Sequence, residues 1–270
     1  MTVPDAIAPD TASLLAAYDA AARRPHVAAL PTGVIAEEDG PLTRVWYPER
    51  GFVSTPADLG VTGPELDALI ARQRDAFTAR GRSLEWKTWD YDTPADLHER
   101  LRAAGFAAED PETVLVAEVD ALLQLPTDVP EGLTVRETCS EQDARRVAEL
   151  QTEIWGDDWS WLAEDLFSRS QGEQPLVRIL VAEDGDRMVA AGWLSLVPES
   201  GFAGLWGGST LPTHRRRGVY RCLVARRAQL AAGLGVRYLQ VDASPDSRPL
   251  LERFGFVAVA TTTPFVYPAP

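Results

Sequence analysis

The 270-residue chain has one lysine (Lys87), two cysteines (Cys139 and Cys222) and three histidines (His26, His98 and His214). Two cysteines cannot build a disulfide framework, and the histidines are too scattered to complete a metal cluster, so no metal site is expected. No apolar run approaches the roughly 20 residues of a membrane-spanning helix. The opening MTVPDAIAPD lacks the basic region and apolar stretch of a secretion signal, and the expected location is cytoplasmic. Basic residues are outnumbered 40 to 26, and the formal net charge of −14 argues against nucleic acid or an anionic membrane as partner. Arginine supplies 25 of the 26 basic residues, a compositional bias that by itself gives Lys87 no chemical role. What is present is ordinary for a globular chain, 45% hydrophobic and 24% charged. That length suits one large domain or two of roughly 100–150 residues.

The acidity is not uniform. Between Glu199 and Asp242 there is no carboxylate side chain, while Arg215, Arg216, Arg217, Arg221, Arg226, Arg227 and Arg237 all fall there. Charge alone is equally compatible with a solvated helix face and with an anion site. The local pattern favours the anion site. A β-like run, FAGLWGGSTL, is broken by Pro212; Arg215-Arg216-Arg217-Gly218 follows, and apolar residues then recur at helical spacing from Val219 to about Leu234. A strand, a glycine-containing turn and a helix start leave backbone N–H groups unpaired, and these bind phosphate with the help of the helix dipole.

The run Pro-Thr-His-Arg-Arg-Arg-Gly-Val-Tyr resembles the coenzyme A pyrophosphate loop of the GNAT superfamily of N-acetyltransferases, (Gln/Arg)-x-x-Gly-x-(Gly/Ala). The following Val241-Asp242-Ala243-Ser244, a short helix and Leu250-Leu251-Glu252-Arg253-Phe254-Gly255-Phe256 resemble that family's fifth strand, next helix and Gly-Phe turn. Upstream, a strand at Leu133–Glu137, a helix at Ser140–Ile154 and strands at Val177–Glu183 and Met188–Val197 fit the same order, so the resemblance covers about 132–268. It implies an α/β (α+β) fold, with a mixed, mostly antiparallel twisted sheet flanked by helices. It also implies acetyl-CoA as acyl donor. Carried over residue by residue, Gly208, Ser209 and Thr210 would contact the pantetheine and thioester, and Arg215, Arg216, Arg217, Gly218, Val219, Tyr220 and Arg221 would wrap the pyrophosphate. Ser244 stands where the family often has a coenzyme-contacting asparagine, and Tyr220 replaces a small residue, so its ring must point away from the phosphates. Leu251 occupies the position of the tyrosine that commonly protonates the leaving thiolate.

The first half repeats the pattern weakly. A helix at about Pro64–Arg80, a strand at Leu84–Asp90, a helix at Ala95–Ala103, Gly105-Phe106 and a strand at Thr113–Val119 echo the second half, with the two Gly-Phe pairs 150 positions apart. Here Thr62 and Glu65 have the spacing of a capping box, and Glu65 sets a carboxylate where a phosphate would lie. Two such charges repel by roughly 1 kcal/mol or more. The expectation is a degenerate GNAT-like domain at 1–125 without a coenzyme A site, the linker QLPTDVPEG, and a GNAT domain at 132–270. The first half either covers the second as a pseudo-dimer partner or supplies a wall of the acceptor pocket.

Acetyl transfer to an amine needs a positioned donor, stabilisation of the developing oxyanion and removal of a proton. No carboxylate lies in Phe202–Thr210, so attention falls on Glu153 and on Trp155-Gly156-Asp157-Asp158-Trp159-Ser160-Trp161. There Asp157 and Asp158 beside three tryptophans would suit a cationic amine. The alternative is that the tryptophans pack in the core and the aspartates cap the next helix. Glu153, Asp157, Asp158 and Ser244 are thus the catalytic candidates. Cys222 and Cys139 read as inert and His214 as a surface loop residue. The expected function is an acetyl-CoA-dependent N-acetyltransferase acting on a small-molecule amine, as a monomer or homodimer. The alternative is a non-catalytic acyl-CoA binding or regulatory protein.

Overall fold

The computed structural model describes residues 10–24, 30, 33–47 and 50–269. His26 and the start of the N-terminal stretch read above lie outside them. The first half runs through α1 (Thr11–Ala21), three short strands β1 (Ile35–Asp39), β2 (Leu42–Trp46) and β3 (Arg50–Ser54), and then α2 (Gly63–Thr78). It continues with β4 (Ser83–Trp89), α3 (Leu97–Ala103), β5 (Ala107–Ala108), β6 (Glu112–Glu118) and the single turn α4 (Val119–Leu122). The second half opens with β7 (Thr134–Thr138), α5 (Glu141–Trp155), α6 (Leu162–Arg169), β8 (Val177–Asp184), β9 (Arg187–Leu196) and β10 (Phe202–Thr210). Then come α7 (Val219–Gly233), β11 (Tyr238–Ala243), α8 (Arg248–Phe254) and β12 (Val257–Tyr267).

Eleven of these strands follow the order β1-β2-β3-β4-β12-β6-β11-β10-β9-β8-β7 in one sheet, with β5 paired to β12 at the side. All neighbours are antiparallel except β3 with β4 and β10 with β11, the equivalent pairs of the two halves. The centre of the sheet is an exchange. The last strand of the chain, β12, inserts beside β4 of the first half, and β6 of the first half inserts beside β11 of the second. The cores follow the exchange. Phe265 of β12 is wholly buried with Leu66, Ile70 and Phe77 of α2, while Leu115 and Ala117 of β6 pack with Val224, Ala228 and Leu251 of α7 and α8.

Strand alternation sorts β6 and β11 cleanly. Leu115, Ala117, Leu239 and Ala243 face α7 and α8, whereas Val114 and Val116 meet Leu14 and Tyr18 of α1 on the opposite face. That opposite face carries the cavity described below. The helix expected from Val219 is present, but it is buried around most of its circumference, Arg227 included, rather than along one stripe.

Candidate active site

The chain leaves β10 through a 3-10 turn at Pro212–His214 and reaches α7 with two residues in left-handed backbone, Arg216 at φ 63° and Gly218 at φ 87°. A left-handed conformation at a non-glycine residue costs roughly 1–2 kcal/mol, so the turn is held in this shape by its surroundings. No side chain caps α7 and no acidic residue sits in its first turn. Among the described residues the N–H groups of Arg216 to Arg221 have no hydrogen-bond partner, and Arg216, Arg217 and Arg221 form no ion pair. Arg215 is turned back onto the Thr210 carbonyl at 3.1 Å, and Arg217 donates to the Glu131 carbonyl at 3.0 Å. His214 is held by Asp184 at 3.1 Å.

The corresponding start of α2 differs, and it corrects one expectation. Thr62 is the N-cap, but its side chain makes no capping bond, because the Glu65 N–H is taken by the Thr62 carbonyl at 3.2 Å. Pro64 removes one donor and Glu65 stands in the first turn.

Beyond Gly204 and Gln240, the last paired residues, β10 and β11 diverge. In that gap β10 is bulged between Trp206 and Ser209, with Gly207 at φ 58°. A Cβ on Gly207 would stand 1.8 Å from the Trp193 ring, so only glycine fits. The bulge is pinned from two helices. Gln151 of α5 donates to the Gly207 carbonyl at 2.9 Å and accepts from the Ser209 hydroxyl at 2.8 Å, and Trp155 donates to both Gln151 and Ser209. From α7, Arg227 donates to the carbonyls of Trp193 and Trp206, each at 3.3 Å. Arg227 is buried with no carboxylate beside it, and burial lowers its pKa. The Tyr220 ring lies against Gly208 and stacks on Phe254 at 6.4 Å, while Leu251 is wholly in the core.

On the α1 face, a cavity of about 1170 Å³ is walled by both halves. Its second-half wall includes Trp159, Trp161, Trp206, Gln240, Asp242 and Ser244, and its first-half wall includes Glu85, Lys87 and Glu112. Lys87 bonds Asp242 Oδ2 at 2.7 Å and lies 3.7 Å from Glu112. Burial pulls the Lys87 pKa down, but Asp242, by charge and hydrogen bond, with Glu112 and Glu85, raises it above the ordinary value. Glu112 is raised by burial, with Asp242 and Glu85 adding and Lys87 opposing.

The structure brings Ser244, Trp159 and Trp161 to this cavity, and Ser244 bonds Ser247 at 3.2 Å. It does not bring the three acidic candidates there. Asp157 is exposed, Asp158 accepts from the Ser160 N–H at 2.9 Å, a bond that lowers its pKa, and Glu153 pairs with Arg187 at 2.8 Å. Glu153 and Asp158 instead line a smaller groove beside α5. Sequence reasoning missed Asp242, Gln240, Lys87 and Glu112. The available signal was the alternation Gln240-Asp242-Ser244, which puts two polar side chains on one face of the strand flanking the gap and a third just past its end.

These features define the class: two like halves sharing one sheet, with a single uncapped, arginine-rich loop. The fold is that of solved acetyltransferases. A GCN5-related N-acetyltransferase from Kribbella flavida superposes with a TM-score of 0.70 at 18% identity, covering 96% of each chain. A GCN5-related N-acetyltransferase from Sphaerobacter thermophilus gives 0.62 at 17%, covering 98% of this chain and 96% of the other. A tandem GNAT protein from the clavulanic acid biosynthesis pathway, solved without AcCoA, gives 0.66 at 14%, covering 98% and 97%. No protein with a curated description matches the sequence. Residues 144–256 match the model of the acetyltransferase (GNAT) family. That match takes in 113 of the 270 residues, all of them in the second half of the chain. No helix among the described residues is long and apolar enough to cross a membrane.

Proposed function

We propose that this protein is an N-acetyltransferase that takes its acyl group from acetyl-CoA and acetylates the amine of a small cationic molecule. The observation that carries the reading is the uncapped, carboxylate-free start of α7, which lies next to the β10–β11 gap. Free N–H groups, the helix dipole and Arg216, Arg217 and Arg221 suit a diphosphate. Gly208, Ser209 and Thr210 along the gap suit the pantetheine arm, with Val219, Tyr220 and Ser244 adjoining it and Arg215 bracing the turn. When bound, acetyl-CoA supplies the activated thioester. The chain's own residues fix its position, offer N–H donors at the bulge and hold the acceptor from the cavity, where Asp242 is the carboxylate flanking the gap. The first half, 1–125, is read as a copy that keeps the fold without a donor site, because Glu65 and Pro64 occupy the start of α2. One acetyl-CoA per chain is therefore expected by calorimetry.

Acetyl-CoA should raise the melting temperature of the wild type, and Gly218→Glu should abolish that shift. An unchanged shift in this variant would sink the loop assignment. Leu251, buried where the family commonly has a proton-donating tyrosine, favours a second reading, a non-catalytic acyl-CoA binding protein. Release of free thiol with a panel of amines supports the enzyme, and tight binding without release supports the sensor.

A further inference from the structure

Gln240 and Asp242 alternate along β11, with Ser244 just past its end, and share the sheet face that carries Lys87 and Glu112. The Asp242 side chain is only 9% exposed, and Lys87 engages one of its oxygens. The other oxygen, Oδ1, is buried with no hydrogen-bond partner among the described residues, and so is Oε1 of Gln240. Buried acceptors without donors carry an uncompensated desolvation cost. Alternate residues of a strand are about 6.6 Å apart, so these acceptors suit two separate donor groups on one molecule.

Their position is set by register. Gly204 pairs with Gln240, and continuing that parallel register places Asp242 across the gap from Trp206 and Ser244 across from Gly208 of the bulge. The charge around them is negative. Glu85, Glu109, Asp110, Glu112 and Asp242 line the cavity against three cations: Arg23, committed to Asp92 at 2.5 Å, Lys87, committed to Asp242, and Arg50, whose guanidinium lies 5.7 Å from the centre of the Trp161 ring. Trp161 and Trp206, 50% and 44% exposed, border the same space, Trp161 with Trp159 stacked on it and Arg50 over its ring.

We infer that Asp242 and Gln240, backed by Lys87 and Glu112 of the first half, form the acceptor subsite, and that the acceptor is a primary ammonium on a ring bearing a further hydroxyl or amino donor, an amino sugar or aminocyclitol. This rests on the N-acetyltransferase reading. Asp242 Oδ1 receives the ammonium, Gln240 Oε1 receives the neighbouring donor, and the ring lies along the indoles. Lys87 fixes the Asp242 carboxylate through Oδ2 and keeps Asp242 and Glu112 from repelling each other.

Glucosamine and cyclohexylamine are six-membered-ring amines with and without additional hydroxyls. Thiol release from acetyl-CoA is measured with each for the wild type, Gln240→Leu, Asp242→Asn and Lys87→Met, beside the acetyl-CoA thermal shift of all four. The wild type should prefer glucosamine at least tenfold in kcat/KM. Gln240→Leu should narrow that preference to about twofold by raising the glucosamine KM more than the cyclohexylamine KM. Asp242→Asn and Lys87→Met should raise the amine KM tenfold or more with the acetyl-CoA shift retained. Equal use of both amines, a preference that survives Gln240→Leu, or acetyl-CoA binding without turnover of either amine overturns the subsite. An unchanged amine KM in Lys87→Met removes the first half from it. Gln240→Leu decides the matter if Asp242→Asn fails to fold. Failure of the wild type to bind acetyl-CoA overturns the N-acetyltransferase reading itself.

Discussion

Arg227 is a cation with no anion, and its place explains it. It binds the Trp206 carbonyl from behind as Gln151 binds the Gly207 carbonyl, so both peptides of the bulge have their C=O groups engaged by buried donors. In a trans peptide the N–H points opposite its C=O, and a bonded carbonyl polarises it. The N–H groups of Gly207 and Gly208 are thereby fixed as donors, an arrangement that, on the proposed acetyl-CoA reading, would stabilise charge developing on the thioester oxygen. Arg227→Met conserves most of the volume and relieves charge burial, so its unfolding free energy should stay within about 1.5 kcal/mol of the wild type in urea. Its kcat should fall about tenfold with the acetyl-CoA KM unchanged, a loss of about 1.4 kcal/mol of transition-state stabilisation. Gly207→Ala acts on the same bulge through sterics: positive φ and the Trp193 ring together should cost about 2–4 kcal/mol in the same titration. The glycines of this bulge were legible in the sequence. The residues that pin it were not, because Gln151 and Trp155 come from a helix more than 50 positions upstream. A row of arginines likewise does not announce which member is buried.

At the scale of elements, strong periodicity translated well: the helices at 63–78, 141–155 and 219–233 and the strands around both Gly-Phe pairs lie within a few residues of their expected ends. The helix starts were harder, since capping depends on one hydrogen bond. Ser140 does cap α5, accepting from the Asp143 N–H at 3.1 Å, whereas Thr62 does not cap α2. The α5 start is also an ion cluster. Arg136 and Arg146 bind Asp143 and Glu183, and hydrogen bonds from Arg136 hold both carboxyls below their ordinary pKa despite opposing burial. A carboxyl with a depressed folded pKa stabilises the fold above its unfolded pKa, and that contribution disappears as pH falls through the folded value. Asp143→Asn should therefore cost about 2 kcal/mol at pH 7. Urea titrations should show the gap to the wild type narrowing as pH falls below about 4. A gap that is flat with pH would assign the loss to packing.

The largest departure from what the sequence conveyed is at the scale of the whole molecule. Repeated patterns reveal two like halves, because each repeat carries its own helices and turns. They do not reveal which half a terminal strand joins, since β6 and β12 present similar alternating edges to either. The exchange has a functional consequence: it sets Glu112 of β6 and Lys87 of β4 beside Asp242 of β11, so the sole lysine of the chain, chemically silent in composition, reaches the cavity from the other half. It also has an energetic one. Phe265, in the last strand of the second half, fills the core beneath α2, and its truncation to alanine should cost about 3–5 kcal/mol. If the sheet is a single cooperative unit, that loss is felt in both halves. Phe265→Ala should then lower one common urea midpoint, with hydrogen exchange accelerating to a similar degree in α2 and in α7. A chain ending before Val257 should show no cooperative transition, because it lacks the strand between β4 and β6. Two separated transitions, with only α2 and its neighbours destabilised by Phe265→Ala, would mean that the exchanged strands link the halves without making them one folding unit.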